Sequence, residues 1–285
     1  MGDDLALRRR FFAEEIEAIA NLRTPGLVEA LASVPRERFL GPGPWTVRSE
    51  SDFGAPPRQT LDADPRHVYH NLAIGIDPSR QLFNGQPALL ATLIEALTLA
   101  PGSRVLHIGC GAGYYTALMA RVVGPGGRVV GIEVDEALAA TAAANLREWP
   151  WTEVRHGDGS AIGSGSFDAV LVNAGVTHPL DAWLDALASG GRLALPLTAT
   201  MAAMGPIGKG PVILLSKKAE GFSVRVVTFV AIYSAIGLRD EKMNGLLGEA
   251  LRRMPFPRLS RFRRDAHERA DNCWLHAERF CLSLS

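Results

Sequence analysis

The chain has 285 residues, 30 Lys+Arg against 30 Asp+Glu, and 47% hydrophobic residues, so it can bury a sizeable core and carries no formal charge. That balance gives no global field for a polyanion, so nucleic acid is not an expected partner. No run approaches the roughly 18 consecutive apolar residues of a membrane span, so no membrane partner is expected either. Near the start, Arg8-Arg9-Arg10 gives way to Phe11-Phe12-Ala13-Glu14-Glu15, two acids that interrupt any signal-peptide apolar core. A cytoplasmic protein is the expectation. Cys110, Cys273 and Cys281 are odd in number and lack metal-ligand spacing, so they read as reduced thiols and no metal is expected.

Apolar positions at Leu5, Phe12, Ile16, Ile19 and Ala20 predict a helix over 5–23, broken before Thr24-Pro25-Gly26. A second helix runs from Leu27 to Ser33 and leads into Val34-Pro35-Arg36-Glu37-Arg38-Phe39. Gly41-Pro42-Gly43-Pro44 then forces a loop. The run from Ser49 to Pro65 has little periodicity and reads as a lid or surface excursion. Val68 to Ile76 alternates like a short strand. Pro87 opens an amphipathic helix to Ala100, because proline lacks an N–H that the first helical turn leaves unpaired anyway. Asn84-Gly85-Gln86 thus stands at a helix N-terminus, a place suited to an anionic group.

From residue 104 strands and helices alternate. Strand 104–108 leads to a helix ending near Gly124, then strand 128–132, an alanine-rich helix from Asp135 or Glu136 to about Trp149, and strand 153–156. Phe167 to Val172 is a buried strand, Pro179–Ala188 a helix stopped at Gly190-Gly191, and Arg192 to Leu197 another strand. This alternation predicts an α/β protein, a doubly wound, Rossmann-like sheet binding its ligand at the carboxyl ends of the strands. Val212–Ser216 and Phe222–Tyr233 predict an antiparallel hairpin at the sheet edge. A helix follows around Glu241–Met254. Seven arginines between 252 and 269 read as a solvated face or as intrachain pairs, with a grip on an acidic partner as the alternative. The organisation is an N-terminal helical and lid region (1–80), a cofactor-binding core (81–235) and a C-terminal extension (236–285).

The chemistry centres on Gly109-Cys110-Gly111-Ala112-Gly113-Tyr114, a strand-to-helix turn whose alternate glycines let a ligand approach the main chain. A dinucleotide fingerprint needs G-x-G-x-x-G; here Tyr114-Tyr115 stands where the later glycine would fall. Glu133 ends the next strand, placed to accept hydrogen bonds from both ribose hydroxyls, and Asp158 ends the one after, placed to accept from an adenine amino group. The set resembles the S-adenosylmethionine site of a class I methyltransferase. In that site His107 either bonds the methionine end of the cofactor or is a buried structural histidine. Tyr114 and Tyr115 either wall the methionine portion or pack between helix and sheet. Asn173 ends a core strand facing the cofactor crevice, but no Pro-Pro-aromatic follows, which weakens a nucleic-acid amino-methylation reading.

With these pieces in order, the chain resembles the protein-L-isoaspartate (D-aspartate) O-methyltransferase family. The resemblance rests on Val34–Phe39, Tyr69-x-Asn71 with Ile74-Gly75, Gln86-Pro87, Val105–Tyr114, Glu133, Gly157-Asp158-Gly159 and Gly190-Gly191-Arg192-Leu193 with Pro196. It spans about residues 26 to 235. It implies S-adenosylmethionine as methyl donor, S-adenosylhomocysteine as product, a protein or peptide substrate, and attack by a carboxylate already ionised at neutral pH. Gly109, Gly111, Gly113 and Gly159 join His107, Tyr114, Glu133, Asp158 and Asn173 as cofactor residues. The family's serine before Gln-Pro is replaced at Gly85, its Tyr-x-Asp is Tyr69-x-Asn71, and its usual acid in the first motif is His107. Asn84 and Gln86 are therefore the catalytic candidates, and Asn71, Asn84 and His178 the substrate-side ones; loop capping is the alternative for Asn84 and Gln86, and a helix-capping or merely polar role the alternative for His178. His178 serves as a base only for a hydroxyl acceptor. The alternatives are another peptide or small-molecule acceptor, and a non-catalytic module that binds the cofactor.

Overall fold

The computed structural model describes residues 2–49, 56–163, 165–201, 205–253 and 258–284. In chain order the elements begin with α1 (Gly2–Ala20), α2 (Pro25–Ser33), β1 (Thr46–Arg48), β2 (Arg58–Gln59), β3 (Ala73–Asp77), β4 (Leu82–Phe83) and α3 (Pro87–Leu97). The alternating part follows as β5 (Arg104–Ile108), α4 (Tyr114–Val123), β6 (Arg128–Glu133), α5 (Glu136–Asn145), β7 (Thr152–His156), β8 (Phe167–Val172), α6 (Asp181–Asp185) and β9 (Leu187–Pro196). The rest is β10 (Ala199–Thr200), β11 (Ile207–Lys217), β12 (Phe222–Tyr233), α7 (Glu241–Arg252), β13 (Leu259–Arg263), β14 (Cys273–His276) and β15 (Cys281–Leu284). The predicted end of α7 at Met254 lies outside the described residues. Among the described residues no helix is long and apolar enough to cross a membrane.

Two compact units make up the chain. The first comprises Met1–Ser103, Cys110–Gly131 and Asp135–His156. In it α1 buries Phe12, Ala13 and Ile16, but Ile19, expected on the same stripe, is 55% exposed. A small sheet runs β2-β1-β3-β4. The 49–65 excursion is tied to it by β2 and by Thr60, whose hydroxyl accepts from the Trp45 N–H at 2.9 Å; residues 50–55 lie outside the described residues. The strand expected over 68–76 begins only at Ala73. Before it, Asp64 caps a 3-10 turn at Pro65–Val68, and the carbonyls of Val68, His70 and Leu72 point to Arg36 instead of to a neighbouring strand. Helix α3 stops at Leu97 rather than Ala100 because Thr98 turns left-handed, at φ 51°. Helix α5 ends at Asn145, short of Trp149. Strand β7 lies beside β6, the Val129 N–H donating to the Trp151 carbonyl at 3.0 Å.

The second unit comprises Arg104–Gly109, Ile132–Val134 and Gly157–Ser285. Its strands run β14-β15-β13-β12-β11-β9-β8-β5. β5, β8 and β9 are parallel, with His107 opposite Leu171 and Val170 opposite Leu193. Just past β5, the Gly109 N–H donates to the Ile132 carbonyl at 2.8 Å. Val105, Leu106, Val170, Leu171, Leu193 and Ala194 are wholly buried, as parallel strands covered on both faces require.

Two predicted features differ here. Gly190-Gly191 does not stop a helix: α6 is only five residues long, and the glycines lie inside β9. Phe167 pairs with Leu187 while Ala169 pairs with Arg192, so the extra residues bulge out of register. Gly190 takes φ 76°, and a Cβ on Gly191 would stand 3.0 Å from the Phe167 carbonyl oxygen, so only glycines fit this bulge. The hairpin of β11 and β12 is antiparallel as predicted but is not at the sheet edge. Phe222 of β12 pairs with Phe262 of β13, and β15 and β14 extend the sheet further. Those strands are only four or five residues long, too short for an alternating pattern to stand out.

Candidate functional site

All three glycines of the turn are left-handed: φ is 75° at Gly109, 55° at Gly111 and 95° at Gly113. Side chains rarely adopt this conformation, and at Gly109 and Gly113 space is tight as well. A Cβ on Gly109 would lie 3.3 Å from the Asn173 carbonyl oxygen, and one on Gly113 would lie 3.2 Å from Leu146 Cδ1. Gly113 is the N-cap of α4, whose first N–H groups have no partner within the helix. The turn is therefore a main-chain cradle with a positive helix end, suited to the carboxylate or the close approach of a ligand. Cys110 fits beneath it, 3.1 Å from where a Gly131 Cβ would stand.

In the second unit the candidates gather at the strand ends. His107 is fully buried on β5, and desolvation drops its pKa to about 3, so the ring is neutral. Glu133, 7% exposed, ends β6, and its carbonyl accepts the Gly157 N–H at 2.8 Å. Asp158 is exposed; its Oδ1 accepts the Ser160 hydroxyl at 2.7 Å and the Ser160 N–H at 2.9 Å. Those bonds hold its pKa below the usual carboxylate range. Gly159, at φ 81°, leaves no room for a Cβ, which would stand 2.6 Å from Ile108 Cγ2, and its carbonyl accepts from Trp183 Nε1 at 2.8 Å. Asn173 is tied to the cradle: its N–H donates to the Ile108 carbonyl at 2.8 Å and its Nδ2 to the Gly109 carbonyl at 3.4 Å. His178 is half-buried, with Nδ1 2.9 Å from the Thr177 hydroxyl, and burial lowers its pKa. The same hydroxyl accepts the Asp240 N–H at 3.1 Å, so His178 belongs to a local network between two loops.

In the first unit the substrate-side candidates share one knot of hydrogen bonds. Its centre is Arg36, a fully buried arginine. Its guanidinium donates to the carbonyls of Val68 (2.8 Å), His70 (3.1 Å), Leu72 (2.9 Å) and Gly85 (3.4 Å). The Tyr115 hydroxyl donates to the carbonyls of Asn84 (3.1 Å) and Gly85 (3.2 Å). Together they fix the backbone of Asn84–Gly85. Asn84 is 8% exposed, its N–H donates to the Ile74 carbonyl at 2.7 Å, and its Nδ2 has no hydrogen-bond partner among the described residues. A buried amide donor left unspent is costly unless something else accepts from it.

Asn71 is tied to the start of α3. Its Oδ1 accepts the Ala88 N–H at 2.9 Å, capping α3 from a distant loop, and Gln86 Nε2 lies 3.5 Å from its carbonyl. Tyr114 packs edge-on against Phe39 and Tyr115, centroids 5.6 and 5.0 Å apart, with Arg36 5.8 Å from its ring centroid. Of the two tyrosines, Tyr114 thus has the packing role and Tyr115 holds the Asn84 turn. Sequence reasoning missed Arg36 as an organiser, because its partners are backbone carbonyls that leave no residue signature. It missed Gly237 as well, whose left-handed turn (φ 76°) brings the backbone so close that a Cβ would lie 3.6 Å from Asp158 Oδ2.

The family model described as protein-L-isoaspartate(D-aspartate) O-methyltransferase matches residues 56–228. Protein-L-isoaspartate O-methyltransferase 1 of Rhodopseudomonas palustris is 34% identical over 70% of this chain and 72% of its own length. Among solved structures, a chain titled protein-L-isoaspartate O-methyltransferase is 20% identical and covers 97% of this chain and 88% of its own, with a TM-score of 0.59. A Plasmodium falciparum enzyme of the same description, solved with S-adenosyl-L-homocysteine, is 17% identical with a TM-score of 0.59, covering 80% of this chain and 97% of its own. The two structures bear on the fold, which is the Rossmann-like α/β fold of class I methyltransferases. The chain belongs to the protein-L-isoaspartate(D-aspartate) O-methyltransferase family.

Proposed function

We propose that this chain is an S-adenosylmethionine-dependent methyltransferase that esterifies a carboxylate of a protein or peptide, with isoaspartyl residues as the first-choice acceptor. The observation that carries the reading is the glycine turn, three left-handed glycines leading into the N-terminus of α4. Its donor set suits the cofactor. Glu133 would take the ribose, Asp158 the adenine amino group, and the cradle with the α4 N-terminus the methionine end. When bound, the cofactor supplies an electrophilic methyl on a sulfonium. The acceptor carboxylate is ionised at neutral pH, so no general base is needed, and the protein's task is positioning and desolvation. Neutral His107 adds no cation to that end of the site. Asn84 Nδ2 orients the acceptor carboxylate, the task the family serine would otherwise have at Gly85. Gln86 is the second donor at the start of α3. We place the reaction in the cytoplasm.

A second reading, a different peptide or small-molecule acceptor, rests on Gly85. Its φ of 55° and a Cβ only 2.7 Å from Leu90 Cδ2 show a turn built without the family's side chain. The test is to incubate the enzyme with labelled S-adenosylmethionine and aged, isoaspartate-rich protein, then treat with mild base. Label released as methanol supports carboxyl methylation. Base-stable label rejects it and moves the acceptor to a hydroxyl or amine.

A further inference from the structure

The C-terminal strands bring together four metal-ligating side chains that the catalytic reading does not use: His267, Cys273, His276 and Cys281. Their ligand atoms all lie within 4.8 Å of one another. Tetrahedral zinc bonds of about 2.3 Å to sulfur and 2.0–2.1 Å to nitrogen put ligand atoms roughly 3.3–3.8 Å apart, so the cluster has the right size. Cys273 Sγ is 3.9 Å from His267 Nε2 and 3.0 Å from Cys281 Sγ. The strand register gathers them. His276 on β14 stands directly opposite Cys281 on β15, and Cys273 starts β14 three residues earlier. His267 comes from the loop after β13.

Three of the four ligands are prepared. His267 Nδ1 lies 2.9 Å from the Asp265 carbonyl oxygen, which accepts from Nδ1–H and so leaves Nε2 unprotonated and facing the sulfur. The Ala270 N–H donates to Cys273 Sγ at 3.4 Å, as it would to a thiolate. His276 Nδ1 is buried and has no hydrogen-bond partner among the described residues. The two imidazole rings stand perpendicular, at 88° with centroids 4.8 Å apart, so their nitrogens converge instead of stacking. A disulfide would use the two sulfurs and leave that convergence, and the orphan nitrogen, without a purpose.

We propose that His267, Cys273, His276 and Cys281 bind one zinc ion as a closed structural site. Two thiolates neutralise the dication, and four protein ligands leave no open position for chemistry. The ion clips the 264–272 loop to the β14–β15 hairpin, strands of only four residues each. Arg264 anchors the same loop through Asp181 at 2.7 Å.

The test uses the untagged full chain, loaded with zinc under reducing conditions and desalted. Elemental analysis is expected to find one zinc per chain, and cobalt exchange to give the ligand-field and thiolate charge-transfer bands of a tetrahedral thiolate site. Replacing both cysteines (Cys273→Ser with Cys281→Ser) is expected to remove nearly all the metal. His267→Cys should retain it and shift the cobalt spectrum towards a third thiolate, which keeps the proposal testable if the double variant misfolds. A wild-type chain that holds no zinc while both thiols react freely overturns the proposal. So does a mass lower by two hydrogens before reduction with no zinc uptake after it, or zinc that survives the double cysteine replacement.

Discussion

The cofactor-side strand ends and the acceptor-side segment are built by opposite means. Around β5, β6 and β8 the work is done by what is missing. Gly109, Gly113 and Gly159 have no Cβ, and the backbone comes within contact of Asn173, Leu146 and Ile108. Around residues 68–86 the work is done by what is added, one buried arginine and one tyrosine holding five carbonyls in place. The first design keeps the turn constant, because a Cβ on any of these glycines would press on a neighbouring residue. The second fixes the backbone of Asn84–Gly85, leaves Asn84 Nδ2 without a hydrogen-bond partner among the described residues, and holds position 85 to glycine, where a Cβ would lie 2.7 Å from Leu90 Cδ2. The difference explains how a chain can keep a cofactor signature and lose an acceptor serine.

The largest effect should come from the acceptor side. Arg36→Met removes the donor to the Val68, His70 and Leu72 carbonyls, while Gly85 keeps Tyr115, and loss of a buried charged donor costs about 3 kcal/mol or more. Urea unfolding should show that drop; a wild-type midpoint would mean the knot is incidental. On the cofactor side, Glu133→Ala should raise the S-adenosylmethionine Kd roughly ten- to a hundredfold, the loss of charge-assisted hydrogen bonds worth about 1.5–3 kcal/mol. Calorimetry with the cofactor alone reads it, and unchanged affinity removes the ribose assignment.

His107 separates the two regions by pH. Its folded pKa of about 3 lies below the ordinary histidine value, so the folded state requires the neutral ring. That stability is complete above the unfolded pKa near 6.5 and is lost as pH falls towards 3, by about 1.4 kcal/mol per pH unit at most. His107→Gln should flatten the acid limb of a stability–pH curve measured without cofactor. Parallel curves for the two proteins would show that the ring is not held neutral. The smallest effect is Asn84→Ala. It should lower kcat about tenfold, one hydrogen bond's worth, with cofactor affinity unchanged and no loss of stability, since Nδ2 has no internal partner among the described residues.

What the sequence disclosed follows the same division. Glycines that must be left-handed are legible because only one residue type serves, so the turn, Glu133 and Asp158 could be placed at strand ends from spacing. The alternation of apolar strands and helices likewise revealed the parallel sheet. Arg36 was visible only as part of a motif, since backbone acceptors have no letter in a sequence. The cap that Asn71 puts on α3 from fifteen residues before Gln86 has no signal in the sequence, because it depends on a tertiary fold. Gly190-Gly191 was read as a helix stop because a bulge and a stop use the same residues. The C-terminal cluster escaped because cysteines were counted without the histidines between and before them; His267, Cys273, His276 and Cys281 meet only once β14 and β15 pair.

The account stands or falls on the acceptor. Methyl transfer from labelled S-adenosylmethionine should be measured on an isoaspartyl peptide and its normal aspartyl twin, with cofactor binding followed in the same samples. Base-labile label on the isoaspartyl peptide alone is the expected result, and would mean that Asn84 and Gly85 replace the family serine. No transfer to either peptide while the cofactor is bound would contradict it.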